Sequence, residues 1–113
     1  MLSEHQERSV NIKVIKIPVG SDPMVVQIPN MLESMKAIVG GWIEIVSLGG
    51  GLDLCLNEEG KLLGLPPNVA LFGGQDVVAG DCFLLRHDEE GEAVSVTAAD
   101  IKKYVGHGRI TSL

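Results

Sequence analysis

Aromatic residues are scarce in this chain, which has one Trp, one Tyr and two Phe among 113 residues. Trp42, Phe72, Phe83 and Tyr104 cannot fill a domain interior, so the core must be aliphatic. Cysteine is scarcer still. Cys55 and Cys82 have no CxxC spacing and no nearby histidine pair, which argues against a zinc site and for buried, reduced thiols. Positive charge is also short: nine basic residues against fifteen acidic ones give a formal net charge of −6. That balance speaks against gripping a DNA or RNA backbone, because such binding rests on Lys and Arg neutralising phosphates. A small anionic ligand stays open, since it needs only one local positive patch. Long apolar runs are missing too; none approaches the ~20 residues that span a bilayer. Met1 to Val10 is polar and charged, unlike a secretory signal. The expectation is a cytoplasmic protein with no membrane contact.

Catalytic groupings are equally thin. A nucleophile needs a base beside it and a third group to orient that base. His5 falls in the leader, His87 at a strand end and His107 in the tail, none beside a plausible Ser, Cys or Thr. Gly49-Gly50-Gly51 joins two strands and is followed by no Lys-Ser/Thr, so it reads as a hairpin turn rather than a phosphate loop. The carboxylate pairs in Glu58-Glu59 and Asp88-Glu89-Glu90 sit in turns, where solvent keeps them ordinary. These patterns predict no enzyme, no cofactor and no metal.

What is present describes one folded domain. An apolar share of 45% with 21% charged residues is that of a globular chain, and residues 11–105 carry the structured pattern between a flexible leader (1–10) and a C-terminal tail (106–113). Asn11 to Ile17 reads as a strand whose alternation slips between Val14 and Ile15, meaning a bulge or burial on both faces. After the turn Gly20-Ser21-Asp22-Pro23, Met24, Val26 and Ile28 alternate as its hairpin partner. Asn30 and Glu33 have capping-box spacing ahead of a helix carrying Leu32, Met35 and Val39, which Gly40-Gly41 ends. Trp42–Leu48 and Leu52–Leu56 read as strands, as do Cys82–Arg86 and the short Val94–Val96. Thr97 and Asp100 open a short second helix. The order predicts an α+β domain: a mostly antiparallel sheet of five to six strands, with one longer and one short C-terminal helix packed on one side.

The most specified stretch is Asn57-Glu58-Glu59-Gly60-Lys61-Leu62-Leu63-Gly64-Leu65-Pro66-Pro67-Asn68. Asn57 and Gly60 can bracket a tight reversal, Leu62, Leu63 and Leu65 call for burial, and the two prolines fix φ and remove donors. It reads as a shaped ledge. Lys61 and Asn68 flank it and, with Arg86, are the candidate donors to an anionic or polar ligand. Trp42 is expected in the core, with the alternative that a half-exposed ring stacks on a base or anchors a partner.

The strings Val39-Gly40-Gly41-Trp42-Ile43-Glu44-Ile45-Val46, Asn57 to Leu62 and Gly64-Leu65-Pro66-Pro67-Asn68 resemble the uncharacterised domain family numbered 3846, as do Asp76 to Asp81 and Ser95 to Tyr104. The likeness spans about residues 11 to 105. It implies an accessory protein of bacteriophages or mobile elements, often encoded among accessory genes near anti-restriction functions and working in the bacterial host cytoplasm. It also implies a basic residue directly after the Asn, where this chain has Val69. Two functions are compatible with these features. One is a small-ligand-binding homo-oligomer that sequesters a nucleotide-type signal of host defence, with pockets lined by Trp42, Lys61, Asn68 or Arg86. The other is an acidic inhibitor or adaptor that docks on a host or phage protein.

Overall fold

The computed structural model describes residues 10–113, so the leader expected over residues 1–10 lies outside the described residues except for Val10, as does His5. β1 (Asn11–Ile17) and β2 (Met24–Pro29) form the expected hairpin, with Lys16 opposite Met24 and Asn11 opposite Pro29. Then come α1 (Leu32–Val39), β3 (Ile43–Gly49) and β4 (Leu52–Asn57). β5 (Pro67–Leu71), a 3-10 turn and β6 (Asp76–Ala79) follow the ledge, and β7 (Cys82–His87), β8 (Ala93–Val94) and α2 (Ala98–Tyr104) complete the order. Six strands make one antiparallel sheet in the order β2-β1-β7-β4-β3, with β8 beside the end of β7. The protein is therefore α+β with an antiparallel sheet of the expected size.

Side-chain alternation sends the central strands into two separate cores. Ile15, Ile17, Leu52, Leu54, Cys82 and Leu84 enter one, while Ile12, Val14, Cys55, Phe83 and Leu85 enter the other. The slip in β1 is thus burial on both faces; its register against β2 runs unbroken from Asn11 to Lys16. A sheet buried on both faces needs two covers. Met35 and Val39 of α1 close one side, and Val69, Leu71 and Val78 of the β5–β6 hairpin close the other with Ile101 and Tyr104 of α2. The helices lie on opposite faces, not on one side as the element order suggests.

Three local expectations change. Asn30 does not cap α1: the N-cap is Met31, without a side-chain bond, and Asn30 Nδ2 donates to the Ala93 carbonyl at 3.1 Å. β5 and β6 form their own two-stranded sheet, whereas in the sequence Val69 to Phe72 reads only as a short apolar piece and Asp76 to Asp81 as a lead-in to the strand at Cys82. Strands of five and four residues are too brief to display alternation. The segment taken as a tail is partly built in. The Ala70 N–H donates to Thr111 and the Leu113 N–H to Ala70, each at 2.9 Å, while Ile110 and Leu113 pack on the core. The Thr97–Asp100 capping box of α2 is present as expected. No helix among the described residues is long and apolar enough to cross a membrane.

Both cysteines are free and fully buried, one in each core. Burial, with a smaller contribution from Asp53 at Cys55 and Asp81 at Cys82, pushes each thiol up to about 12. Only the thiolate reacts. Neither cysteine should be alkylated in the native protein at neutral pH, and both should become reactive together in urea; mass spectrometry of the alkylated protein reads the result.

Candidate functional site

The ledge is built differently from its sequence pattern. Neither Asn57 nor Gly60, the residues that bracket the reversal, takes the positive φ that Asn and Gly tolerate in turns. Asn57 is buried, its Oδ1 accepting from the Glu59 N–H (2.8 Å) and its Nδ2 donating to the Val39 carbonyl (3.1 Å), so it locks the turn to the end of α1. Gly60 is glycine because a Cβ there would lie 2.5 Å from the Ala79 carbonyl oxygen. Leu62 and Leu63 are not buried; they are 83% and 58% exposed.

That arrangement opens a cleft of about 390 Å³ between the ledge, β6 and the edge of the sheet. Val46, Leu56, Leu71 and Val78 line its apolar part, Leu62 and Val77 its exposed rim, and Glu44, Glu58, Glu59, Lys61 and Asp76 its polar part. Lys61 Nζ donates to Asp76 Oδ1, which holds the Asp76 carboxyl below its ordinary value. With that pair internally balanced, Glu44, Glu58 and Glu59 give the cleft a net negative field.

The same cleft borders the last strand of the sheet. No strand pairs with the outer side of β3 among the described residues. The Glu58 N–H donates to the Trp42 carbonyl at 2.9 Å, and the register continues as Ile43↔Asn57, Glu44↔Leu56 and Ile45↔Cys55. Antiparallel pairs alternate between bonded and non-bonded. Glu44 and Val46 therefore bond inward to β4, while Ile43, Ile45 and Ser47 aim their N–H and C=O groups outward. Ile45 is 57% exposed and Trp42 61%. The indole is not a core residue; Lys36 Nζ lies 3.7 Å from its ring centroid.

The four residues singled out from sequence do not meet. Lys61 lines the acidic cleft and Trp42 begins the open edge. Asn68 Nδ2 is spent on the Ile17 and Gly80 carbonyls, both at 2.9 Å, pinning β5 to the sheet. Arg86 lines a second cavity of about 450 Å³ with Leu48, Gly50, Phe72, Lys103 and Tyr104. Its guanidinium forks onto Asp100 (Nε–Oδ2 2.6 Å, Nη2–Oδ1 2.8 Å) and also donates to the Gly50 carbonyl (2.8 Å). One pairing escaped sequence reasoning: His87 Nδ1–H donates to the buried Asp53 carboxylate at 2.6 Å. The signal available was Asp53 itself, a charge inside the apolar run Leu52–Leu56 that needs a partner if buried.

Residues 12–108 match the family model described as a domain of unknown function, DUF3846. The chain belongs to this family. No curated protein and no solved structure matches it. In this DUF3846 domain the position after Asn68, where the resemblance implies a basic residue, is Val69 with no exposure at all, packed in the core beside Leu71 and Val78. A guanidinium there would be buried without a partner, so Val69 suits this backbone and no anion contact arises from it.

Gly60→Ala should cost about 1–3 kcal/mol, because the Ala79 carbonyl is backbone and cannot swing away; urea unfolding measures it. The Arg86 hydrogen bonds, with those from Thr97, hold the Asp100 carboxyl well below the usual carboxylate range against the opposing effect of burial. A depressed carboxylate stabilises the fold above its unfolded value near 4 and loses that contribution as pH falls. Arg86→Ala should therefore cost about 1.5–3 kcal/mol at neutral pH. The gap to wild type should shrink on acidification below about pH 4, measured by parallel urea titrations.

Proposed function

We propose that this protein is a non-enzymatic docking protein, an inhibitor or adaptor that holds a basic protein partner against the acidic cleft. The observation that carries the reading is the three carboxylates of Glu44, Glu58 and Glu59, which no cation among the described residues pairs, around a cleft whose rim exposes Leu62 and Val77. Apolar groups exposed together with unpaired charge of one sign are what a protein partner of opposite charge covers. The net charge of −6 adds long-range steering. In the phage or mobile-element setting that the family resemblance implies, the partner is a basic host or phage protein.

Association should weaken about tenfold or more as salt shortens the screening length below that of dilute buffer. The double variant Glu58→Lys/Glu59→Lys should abolish it without changing stability, since both side chains are exposed. Affinity capture from a bacterial lysate at low and high salt, wild type beside the variant, tests this; capture indifferent to both would sink the reading.

A second reading, sequestration of a nucleotide-type signal, is favoured by one observation. The cavity at Arg86 sets Phe72 and Tyr104 beside Lys103, and Phe72 has the only positive φ (54°) of a non-glycine among the described residues. Rings next to a cation suit a base and a phosphate. The balance lies against it, because Asp100 already takes the Arg86 fork. Calorimetry with mononucleotides should show Phe72→Ala and Lys103→Ala each weakening binding; no heat with wild type would remove this site.

A further inference from the structure

We propose that the partner docks by adding an extended strand to β3, with basic side chains over the acidic cleft and apolar side chains beside Ile45. This rests on the docking reading above and states its mechanism.

The two edges of the sheet are not alike. β2 carries Pro29 within the strand and Pro23 just before it, and a proline offers no N–H to an incoming strand. β3 contains no proline and no lysine. Its protections are Glu44 and an irregularity between Ser47 and Gly49, beyond which pairing is already ending. From Ile43 to Ser47 the outward N–H and C=O groups form a regular row, and regular rows of that kind accept a further strand.

The side-chain rows on β3 then specify the added strand. Glu44 and Val46 face the cleft, where Glu58 and Glu59 also stand. Ile43 and Ile45 face the other side, Ile43 packing with the α1 core and Ile45 largely uncovered. An added strand lies about 4.8 Å away and alternates its own side chains over the same two faces. One row meets carboxylates and the other meets Ile45, so the matching segment alternates basic and apolar residues. A second copy of this chain matches poorly, because antiparallel pairing of β3 with itself would place a second Glu44 on the carboxylate face.

The test uses the ¹⁵N-labelled protein and a short end-blocked peptide of alternating lysine and valine, beside a control of the same composition with its lysines and valines in blocks. Amide exchange should slow on binding at Ile43, Ile45 and Ser47 and stay unchanged at Glu44 and Val46, which β4 already protects. Ile45→Pro removes one outward donor and leaves the inner ladder, so affinity should fall about tenfold, the equivalent of one or two lost hydrogen bonds. N-methylation of alternate valines in the peptide should do the same from the other side, which keeps the test valid if the proline variant unfolds. Salt-sensitive binding with unchanged exchange and no response to Ile45→Pro or N-methylation would overturn strand addition and leave the docking reading standing. Failure of both peptides to bind would likewise overturn it, with the docking reading decided by lysate capture. A concentration-dependent dimer abolished by Ile45→Pro would assign the edge to a second copy and overturn the heterologous partner.

Discussion

Burial of β7 on both faces is the constraint from which the rest of the architecture follows. Cys82 and Leu84 point into one core, Phe83 and Leu85 into the other, and none is more than marginally exposed. Burying an aliphatic or aromatic side chain stabilises by roughly 1.5–3 kcal/mol, but only if something covers it. A single short helix covers one face. The other requires the β5–β6 hairpin, α2 and the last residues of the chain together. Polar residues appear where β7 leaves those cores, at Arg86 and His87, and each has a carboxylate waiting: Asp100 from α2 and Asp53 from β4.

This arrangement explains why the candidate ligand donors do not converge. Arg86 is required at the end of β7 to hold α2 through Asp100, and Asn68 is required to fasten the covering hairpin to β1 and Gly80. Both spend their donors on the fold. Lys61 is spent on Asp76, within the ledge and hairpin. Among the described residues, the carboxylates of the ledge and the outward groups of β3 are left without such a partner.

Much of the fold is legible in the sequence because it follows from local chemistry. The β-branched runs of β1 and β3, the leucines of β4 and the Thr97–Asp100 box each announce themselves within a few residues. The site does not, for identifiable reasons. Asp53 and His87 are 34 residues apart and meet only through strand pairing. Leu62 and Leu63 read as core by hydrophobicity, yet they face solvent, on a ledge whose Gly60 lies against Ala79, and that contact joins segments with no sequence signal linking them. Gly60 itself reads as a turn residue, whereas close backbone approach is its reason. Trp42 has an aromatic's preference for the interior, but Phe83 fills the core that α1 closes and the indole rests under Lys36 at the rim.

An open edge strand is a hazard as well as a site, and the charge distribution resolves the conflict. Outward N–H and C=O groups pair with any extended chain that reaches them, this protein's own included. The Glu44 side chain stands between the outward groups of Ile43 and Ile45, and Glu58 and Glu59 line the same cleft. On the proposed docking, a second copy, carrying the same acids and a net charge of −6, is disfavoured by the same field. A cationic segment is attracted by the same field. On that proposal, the carboxylates that discourage self-pairing also select the partner. Under the proposed docking, that double role matches an edge with no proline and no lysine beside an edge with two prolines at its ends.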